Sequence, residues 1–223
     1  MHFTMLLLIL AATAYAAPVE DHVKRAGCSS YTIINTRGTG EIQGESSGFR
    51  TMNGNIQSQV KGGKIYNTVY PAGADQNSAA GTADIVKQVK SGLQSNPNQC
   101  FILEGYSQGA AATVSALPQL TGASFNAVKG VFLIGDPNHK SGLACNVDNN
   151  GGNTTKNVNG LSVMLGKSIP SDWVSKTMDV CIFGDGVCDT THGNGINAAH
   201  LQYSRDSSTQ KLGTNFVVKQ LTA

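Results

Sequence analysis

The feature that most constrains the fold of this chain is an alternation of short apolar runs with segments of helical period. The runs are rich in β-branched and aliphatic residues and lie at 31–35, 64–70, 100–104, 128–135 and 177–183. Four of them are nearly continuous apolar stretches, which is typical of strands that are covered on both faces. The segments between them carry helical signals: Ile85, Val89 and Leu93 at i, i+4 and i+8, helix formers at 110–117 before Pro118, and Leu212, Phe216 and Val217 near the C-terminus. The sequence therefore predicts an α/β fold with a parallel sheet.

Composition favours one compact domain and argues against a nucleic-acid partner. Of the 223 residues, 40% are hydrophobic and 13% are charged, against about 25% charged residues in average globular proteins. This balance excludes a disordered chain, and α/β domains of about 200 to 250 residues are commonly single. The 16 Lys and Arg and 14 Asp and Glu residues give a net charge of +2. That charge is too weak for the basic surface that binding to phosphate backbones requires.

The first 25 residues resemble targeting and processing segments. An apolar run at 5–17 contains Ala14-Tyr15-Ala16, which predicts a signal peptide at 1–16 that is cleaved after Ala16. A short polar propeptide follows at 17–25 and ends at the dibasic pair Lys24-Arg25. The alternative, a short membrane anchor, is disfavoured because the run is shorter than the roughly 20 residues of a membrane span. We therefore expect a secreted protein whose single domain occupies 26–223.

Five cysteines and one sequon fit a secreted protein. In an oxidising compartment, disulfides are the expected use of cysteine, and the chain has no C-x-x-C pair that would indicate zinc. Cys145 is interpreted as a buried free thiol, with intermolecular pairing as the alternative. Asn153-Thr154-Thr155 is a sequon in a Gly- and Asn-rich stretch, and it predicts N-glycosylation of Asn153 on a surface loop.

The most informative motif is G-x-S-x-G at 105–109, which follows a predicted strand and begins a predicted helix. A serine on a sharp strand-to-helix turn needs small neighbours on both sides, and the turn exposes its hydroxyl. The N–H of Gln108 would then lie at a helix N-terminus, where it can stabilise an oxyanion. The pattern predicts Ser107 as a nucleophile; the alternative is a merely tight turn.

A serine nucleophile needs a base and an acid, and in hydrolases with this motif the acid and then the histidine follow the serine along the chain. Asp185 directly follows the strand predicted at 177–183, on the side of the sheet where open α/β folds place their sites. His200 follows it, just before the last helix. Two rivals stay open: Asp136, which also ends a strand, for the acid, and His192 for the base.

Two further features surround the predicted nucleophile. The loop Arg37-Gly38-Thr39-Gly40-Glu41 follows the first strand and lacks the lysine and spacing of a phosphate-binding loop. We interpret it as the second part of an oxyanion hole, supplied by Thr39. Glu104 is a carboxylate in a core strand, and we interpret it as a structural ion pair with Arg37 as a candidate partner.

Four segments are specific when they are taken together with the serine motif. They are INTRGTGE at 34–41, QNSAAGTAD at 76–84, VKGVFLIG at 128–135 and GDGVC at 184–188. On these residues the chain, from about Cys28 to its C-terminus, resembles the fungal cutinases, and more closely the cutinase-like esterases of basidiomycete yeasts.

The resemblance implies a small α/β-hydrolase with a central five-stranded parallel sheet and helices on both faces. It implies a catalytic triad, an oxyanion hole in which Thr39 occupies the position of the family's serine, and two disulfides. The residues are Ser107, Asp185 and His200 for the triad, Thr39 and Gln108 for the oxyanion hole, and Cys28 with Cys100 and Cys181 with Cys188 for the disulfides. No cofactor and no metal are implied.

The predicted function is hydrolysis of carboxylic ester bonds in cutin and related aliphatic polyesters and in short-to-medium-chain esters. We expect a monomer, which the resemblance to the family implies, that acts on insoluble polyester or small esters. No long apolar segment separates the triad strands as a lipase lid would, so the nucleophile should be open to solvent and to polyester. Ile196, Leu201 and Val174 are interpreted either as walls for an acyl or alkyl chain or as ordinary core. The alternatives are an acetylxylan esterase on the same fold and a catalytically silent secreted binding module, against which the retained triad and oxyanion positions argue.

Overall fold

A single parallel sheet organises residues 27–223, which are the residues that this computed structural model describes. The predicted signal peptide (1–16) and propeptide (17–25) lie outside the described residues. The strands are β1 (Tyr31–Thr36), β2 (Gly63–Asn67), β3 (Cys100–Tyr106), β4 (Val128–Ile134), β5 (Asn146–Val147) and β6 (Thr177–Val180). They are arranged in the order β2-β1-β3-β4-β6-β5, and every neighbouring pair is parallel.

The sheet has six strands, so the prediction of five was wrong by one edge strand. The additional strand, β5, contains two residues that pair with Asp179 and Val180. Two residues are too few to show the alternation by which a strand is recognised in sequence. The predicted strand at 177–183 ends early, at Val180, because the next residue, Cys181, is bonded to Cys188 in the following turn.

Five helices lie within residues 27–223 and cover the sheet on both faces, and this two-sided cover was predicted. They are α1 (Arg50–Gln59), α2 (Ala79–Ser95), α3 (Gln108–Ala116), α4 (Ala123–Ala127) and α5 (Ser207–Thr222). Helices α1 and α5 contact each other on one face, and α2 and α3 contact each other on the other. Among the described residues, no helix has the length and apolarity that crossing a bilayer requires.

Alternation along the central strands supplies both layers of the core. In β3, Leu103 packs with α2 and α3, whereas Ile102 packs with α1 and α5. In β4, Leu133 and Phe132 divide in the same way. Successive strand residues point to opposite faces, so a sheet that is covered on both faces needs apolar residues at every position. This explains the nearly continuous apolar runs.

The strand order places the functional loops at one point. Strands β1 and β3 are neighbours, but the chain leaves β1 toward β2 on one side and then crosses to β3 on the other. Ligands of open α/β sheets bind at such a reversal, beyond the carboxyl ends of the strands. The loop that contains Thr39 follows β1, and Ser107 follows β3.

Candidate active site

Ser107 lies on a strained turn between β3 and α3. Its backbone has φ +55° and ψ −119°, in a region that non-glycine residues rarely adopt. A Cβ at Gly105 would lie 2.6 Å from the Cα of Ala110, and one at Gly109 would overlap backbone carbonyls at the end of β1. The N–H of Ser107 donates to the carbonyl of Ile134 at 3.0 Å. The two glycines let the turn pack against its neighbours, and β4 holds it in place.

His200 reaches Ser107 from the loop before α5. Its Nε2 lies 2.9 Å from Oγ of Ser107, across 93 positions of sequence. The backbone N–H of His200 donates to Oδ1 of Asn197, and its carbonyl accepts from the hydroxyl of Tyr106 at 2.8 Å. The Tyr106 ring also stacks on the imidazole, with a centroid distance of 5.2 Å. His200 is therefore held through its backbone groups, and its imidazole ring is held by stacking on Tyr106.

Asp185 lies on the other side of the imidazole, in the loop after β6. Its carboxylate oxygens are 2.9 and 3.0 Å from Nδ1 of His200. The same carboxylate accepts from the N–H of Val187 at 2.9 Å and from the hydroxyl of Tyr203 at 2.6 Å. The disulfide between Cys181 and Cys188 closes this loop on both sides of Asp185. Each carboxylate oxygen thus has a second donor besides the imidazole.

The three side chains lie in a largely dry environment. Asp185 is 0% exposed, His200 2% and Ser107 6%, so only the serine end of the arrangement reaches the surface. Burial, together with the neighbouring Asp185 carboxylate, raises the pKa of Tyr203 well above its ordinary value. Tyr203 therefore stays protonated and keeps donating to Asp185. The role of Tyr203 was not predicted, since one tyrosine in a loop is not part of a recognisable sequence pattern.

The two predicted oxyanion residues meet beside Ser107. Gln108 is the first residue of α3, where backbone N–H groups have no acceptor within the helix. The Thr39 hydroxyl lies 3.3 Å from Oε1 of Gln108 and 3.2 Å from Oε1 of Gln76. The Gln108 amide also donates to the carbonyl of Gly73 at 3.3 Å. The loops after β1 and β2 are thereby joined to the start of α3.

Glu41 fixes the loop that carries Thr39. One carboxylate oxygen accepts from the N–H of Gly38 and the hydroxyl of Ser46, both at 2.7 Å. The other oxygen accepts from the N–H of Ser47 at 2.8 Å and from its hydroxyl at 2.7 Å. Four donors on one carboxylate order the backbone on both sides of Thr39. The quoted motif contained Glu41 and Gly38, but not Ser46 and Ser47, which lie five and six residues further along the chain.

The rival residues have other partners. His192 contacts Asp189, with Nδ1 2.9 Å from a carboxylate oxygen, and lies against the exposed ring of Phe183 at a centroid distance of 4.4 Å. Asp136 is fully buried and accepts from the N–H of Asn138 at 2.9 Å. Within the described residues, neither has a hydrogen bond to Ser107 or His200.

Glu104 lies among amides rather than beside an arginine. Its Oε2 accepts from Nδ2 of Asn35 at 2.7 Å and from Nδ2 of Asn53 at 3.0 Å. Burial raises its pKa to about 8, against the opposing effect of these two hydrogen bonds. Arg37, the partner considered from sequence, donates instead to backbone carbonyls, those of Glu41, Thr68 and Tyr70. The candidate ion pair was therefore wrong, and near neutral pH Glu104 is a largely uncharged buried acid.

Apart from the disulfide between Cys181 and Cys188, the cysteines and the glycosylation sequon lie outside the site. The structure joins Cys28 to Cys100 and leaves Cys145 buried and free. Burial raises the pKa of the Cys145 thiol to about 12, which keeps it unreactive. Asn153 is exposed. Residues 27–223 contain no cluster of three or more His, Cys, Asp or Glu side chains that could hold a metal ion.

Two of the three apolar residues that were considered from sequence as substrate walls are exposed. Ile196 is 57% exposed and Leu201 is 62% exposed, so both belong to the surface around the triad loops rather than to the core. Val174, which was considered with them, packs partly buried against the core of the α2–α3 face. Val174 therefore belongs to the core, whereas Ile196 and Leu201 do not, and their role as walls for an acyl or alkyl chain stays a prediction.

Comparison with known proteins identifies the family. The cutinase family profile matches residues 27–221. This chain belongs to the cutinase family. It is 28% identical over 222 residues to a cutinase of Monilinia fructicola, covering 91% of this chain and 89% of that protein.

Two solved structures are similar to this cutinase-family chain. A cutinase-like protein from Cryptococcus sp. has 65% identity and a TM-score of 0.87, covering 88% of this chain and 97% of that one. The catalytic core domain of acetyl xylan esterase from Trichoderma reesei has 26% identity and a TM-score of 0.70, covering 87% of this chain and 100% of that one. The resemblance predicted from the motifs and the α/β-hydrolase fold are confirmed. With relatives named cutinase and carboxylesterase, the chain is a carboxylic ester hydrolase.

Proposed function

We propose that this ester hydrolase is a secreted serine esterase that cleaves cutin and related aliphatic polyesters, and short-to-medium-chain esters, through an acyl-enzyme. The observation that carries the proposal is the 2.9 Å separation of Ser107 Oγ and His200 Nε2 on a strained strand-to-helix turn. A hydroxyl in contact with an imidazole, which is itself oriented by a carboxylate, is the arrangement of an activated nucleophile.

In the first step, Ser107 Oγ attacks the ester carbonyl while His200 Nε2 takes the hydroxyl proton. Asp185 holds the imidazole through Nδ1 and stabilises its cation. As the tetrahedral intermediate collapses, the bond to the alcohol breaks and His200 returns the proton to the leaving oxygen. Water then repeats the sequence on the acyl-enzyme, again with His200 as base, and releases the acid. No step needs a cofactor.

The negative charge of each tetrahedral intermediate is held by the N–H of Gln108 and by Thr39. Donors that are fixed before the reaction begins stabilise developing charge without reorganising. Glu41 supports this role because its four hydrogen bonds order the loop that carries Thr39. A donor of this kind contributes on the order of 10² to 10³ in kcat.

The open, apolar surround of the site supports a polymer substrate. Between β6 and α5 the chain forms turns and no helix, and Ile196 and Leu201 expose apolar side chains beside the triad loops. An insoluble polyester can approach such a surface without a lid moving. The two disulfides support secretion, because such bonds persist in oxidising compartments. We expect the protein to be monomeric.

The experiment is an acyl-length profile with purified protein. We expect kcat/KM on p-nitrophenyl esters to rise from acetate to butyrate or hexanoate, and a polyester film to lose weight. The variant Ser107→Ala should hydrolyse none of these esters and should cause no weight loss of the film. Strict preference for acetate would overturn the polyester proposal and favour the second candidate, an acetylxylan esterase, which the likeness to the Trichoderma reesei domain supports. No turnover of any ester would overturn the enzyme itself.

A further inference from the structure

A groove of about 800 Å³ lies between the first turns of α2, the end of α3 and the segment 166–170. We call it the α2–α3 groove. It is on the face of the sheet that α2 and α3 cover, away from α1 and α5. Its walls include Gln76, Ala83, Ser115, Gln119, Gly166 and Lys167. None of these residues has a role in the mechanism above.

One end of the groove adjoins the proposed oxyanion hole. Gln76 lines the groove, and its Oε1 accepts from the hydroxyl of Thr39 at 3.2 Å. Of α3, which begins at Gln108 beside Ser107, the groove wall includes Val114 and Ser115. At about 1.5 Å per helical residue, Ser115 lies roughly 10 Å along the helix axis from Gln108. The groove therefore lies within roughly the length of one polymer repeat of the proposed oxyanion hole.

The lining suits a neutral chain of alternating apolar and polar groups. Alanine, valine and proline side chains offer contacts to methylenes, and amide and hydroxyl side chains offer donors to ester carbonyls. Lys167 is the single charged residue of the lining, so nothing in it matches a polyanion. No aromatic ring lines it either, so a sugar ring would have no platform. A polyester segment fits both features.

The outer lip of the groove is apolar and exposed. Met164 is 91% exposed and Leu165 is 76% exposed, and both immediately precede Gly166 of the groove wall. They lie on a short 3₁₀ helix that buries none of its residues. Two large apolar side chains that are almost free of the fold match the surface of an aliphatic solid.

We propose that the α2–α3 groove binds the stretch of polyester chain adjoining the ester that is cleaved, with Met164 and Leu165 contacting the polymer surface. This assignment rests on the proposed function. It makes rate depend on substrate length beyond the acyl group that Ser107 attacks. Long oligoesters should be preferred over short ones by the contacts that the groove adds.

The test fills the groove without touching the triad. Ala83→Trp and Gln119→Trp place a large ring on exposed lining positions of two different elements. Asn55→Trp is the matched control, an equally large change at an exposed position on α1, across the sheet. The substrates are p-nitrophenyl butyrate and soluble oligomers of 6-hydroxyhexanoic acid with two and six repeat units.

For the wild type and Asn55→Trp, we expect kcat/KM to be at least tenfold higher on the hexamer than on the dimer. In Ala83→Trp and Gln119→Trp, that ratio should fall to near one, while butyrate hydrolysis stays within about twofold of wild type. Wild-type turnover of the hexamer with an unchanged ratio in both groove variants would overturn the groove assignment alone. A wild type that cleaves none of the oligomers would instead overturn the proposed polyester function.

Discussion

Two buried histidine–aspartate pairs in this molecule have almost the same geometry. His200 lies 2.9 Å from Asp185, and His139 lies 2.7 Å from Asp179, with all four side chains at 2% exposure or less. The pairs differ in the partner of the second ring nitrogen. For His200 it is the hydroxyl of Ser107, and for His139 it is the backbone carbonyl of Thr155 at 3.0 Å.

This difference distinguishes a pair that is suited to proton transfer from a pair that has a structural role. A hydroxyl can give up its proton to the ring and take it back, whereas a carbonyl oxygen only accepts. Burial alone would lower the pKa of His139, but Asp179 and the Thr155 carbonyl raise it to about 9. His139 is therefore a cation near neutral pH, with both N–H groups occupied. A histidine–aspartate pair becomes a candidate site only when a nucleophile completes it.

The pair of His139 and Asp179 has a structural role. The carbonyl of His139 accepts from the N–H of Gly160 at 2.8 Å, and the hydroxyl of Thr155 donates to the carbonyl of Cys181 at 2.7 Å. These contacts hold the Gly- and Asn-rich stretch at 149–160 against the end of β6. The pair thus fastens an insertion to the sheet.

Replacing each histidine by alanine should give the largest difference between the two pairs. In His200→Ala we expect kcat to fall on the order of 10⁴ or more, because Ser107 loses its base, with the fold retained. In His139→Ala we expect the activity of folded protein to be kept and the free energy of unfolding to fall by about 3 to 5 kcal/mol, because Asp179 is left unpaired. Esterase kinetics and urea unfolding of both variants measure this. Equal losses of activity would contradict the division of roles.

The proposed oxyanion hole is a second difference between the pairs, since only Ser107 lies beside such donors. In Thr39→Ala we expect kcat to fall on the order of 10² with little change in KM, because the contact is made to charge that develops in the transition state. Thr39→Ser is the matched control and should keep most of the activity. If alanine were as active as serine at this position, the hydroxyl would have no part in holding the oxyanion.

Glu104 is a buried carboxyl without a histidine partner. Its pKa is about 8 in the folded protein, against about 4.3 in an unfolded chain. Between these values the unfolded chain releases the proton that the folded protein keeps, so stability falls as pH rises and levels off above about 8. The slope from this group is at most about 1.4 kcal/mol per pH unit.

Glu104→Gln should therefore reduce the loss of stability between pH 5 and 8, without altering esterase kinetics at a fixed pH. Urea unfolding of the variant and of wild type across this range measures the difference. His139 contributes equally to both curves, so it cancels. Parallel curves would show that Glu104 is ionised in the folded protein.

Much of the fold was predictable because its signals are local. Nearly continuous apolar runs marked β1, β3 and β4, and the motif at 105–109 marked the junction of β3 and α3. Helix α1 was not predicted, because RTMNGNIQSQ offers only Met52 and Ile56 as apolar residues of one face and has Gly54 between them. Its helix is stabilised by packing against α5, which a local pattern does not contain.

The candidate site also contains some residues that a sequence pattern predicts and others that it does not. Ser107 is recognised from its neighbours and Asp185 from its place directly after a strand, whereas His200 was preferred to His192 only through the resemblance to the cutinases. Sequence could not separate His200 from His192, because each has an aspartate nearby in the chain, and only folding decides which ring meets Ser107. The roles of Tyr203 and Glu41 were not predicted for the same reason. Their roles come from contacts to Asp185, Gly38, Ser46 and Ser47, not from a motif.

If His200 makes Ser107 a nucleophile, this serine should react covalently with an organophosphate ester. Wild-type protein is incubated with diethyl p-nitrophenyl phosphate, which forms a phosphorus–oxygen bond to an activated serine and releases p-nitrophenolate. Mass spectrometry should find one diethylphosphoryl group, on the peptide that contains Ser107. It should be absent in Ser107→Ala, form far more slowly in His200→Ala, and form at the wild-type rate in His139→Ala. An unlabelled wild type, or a label on another residue, would contradict the account.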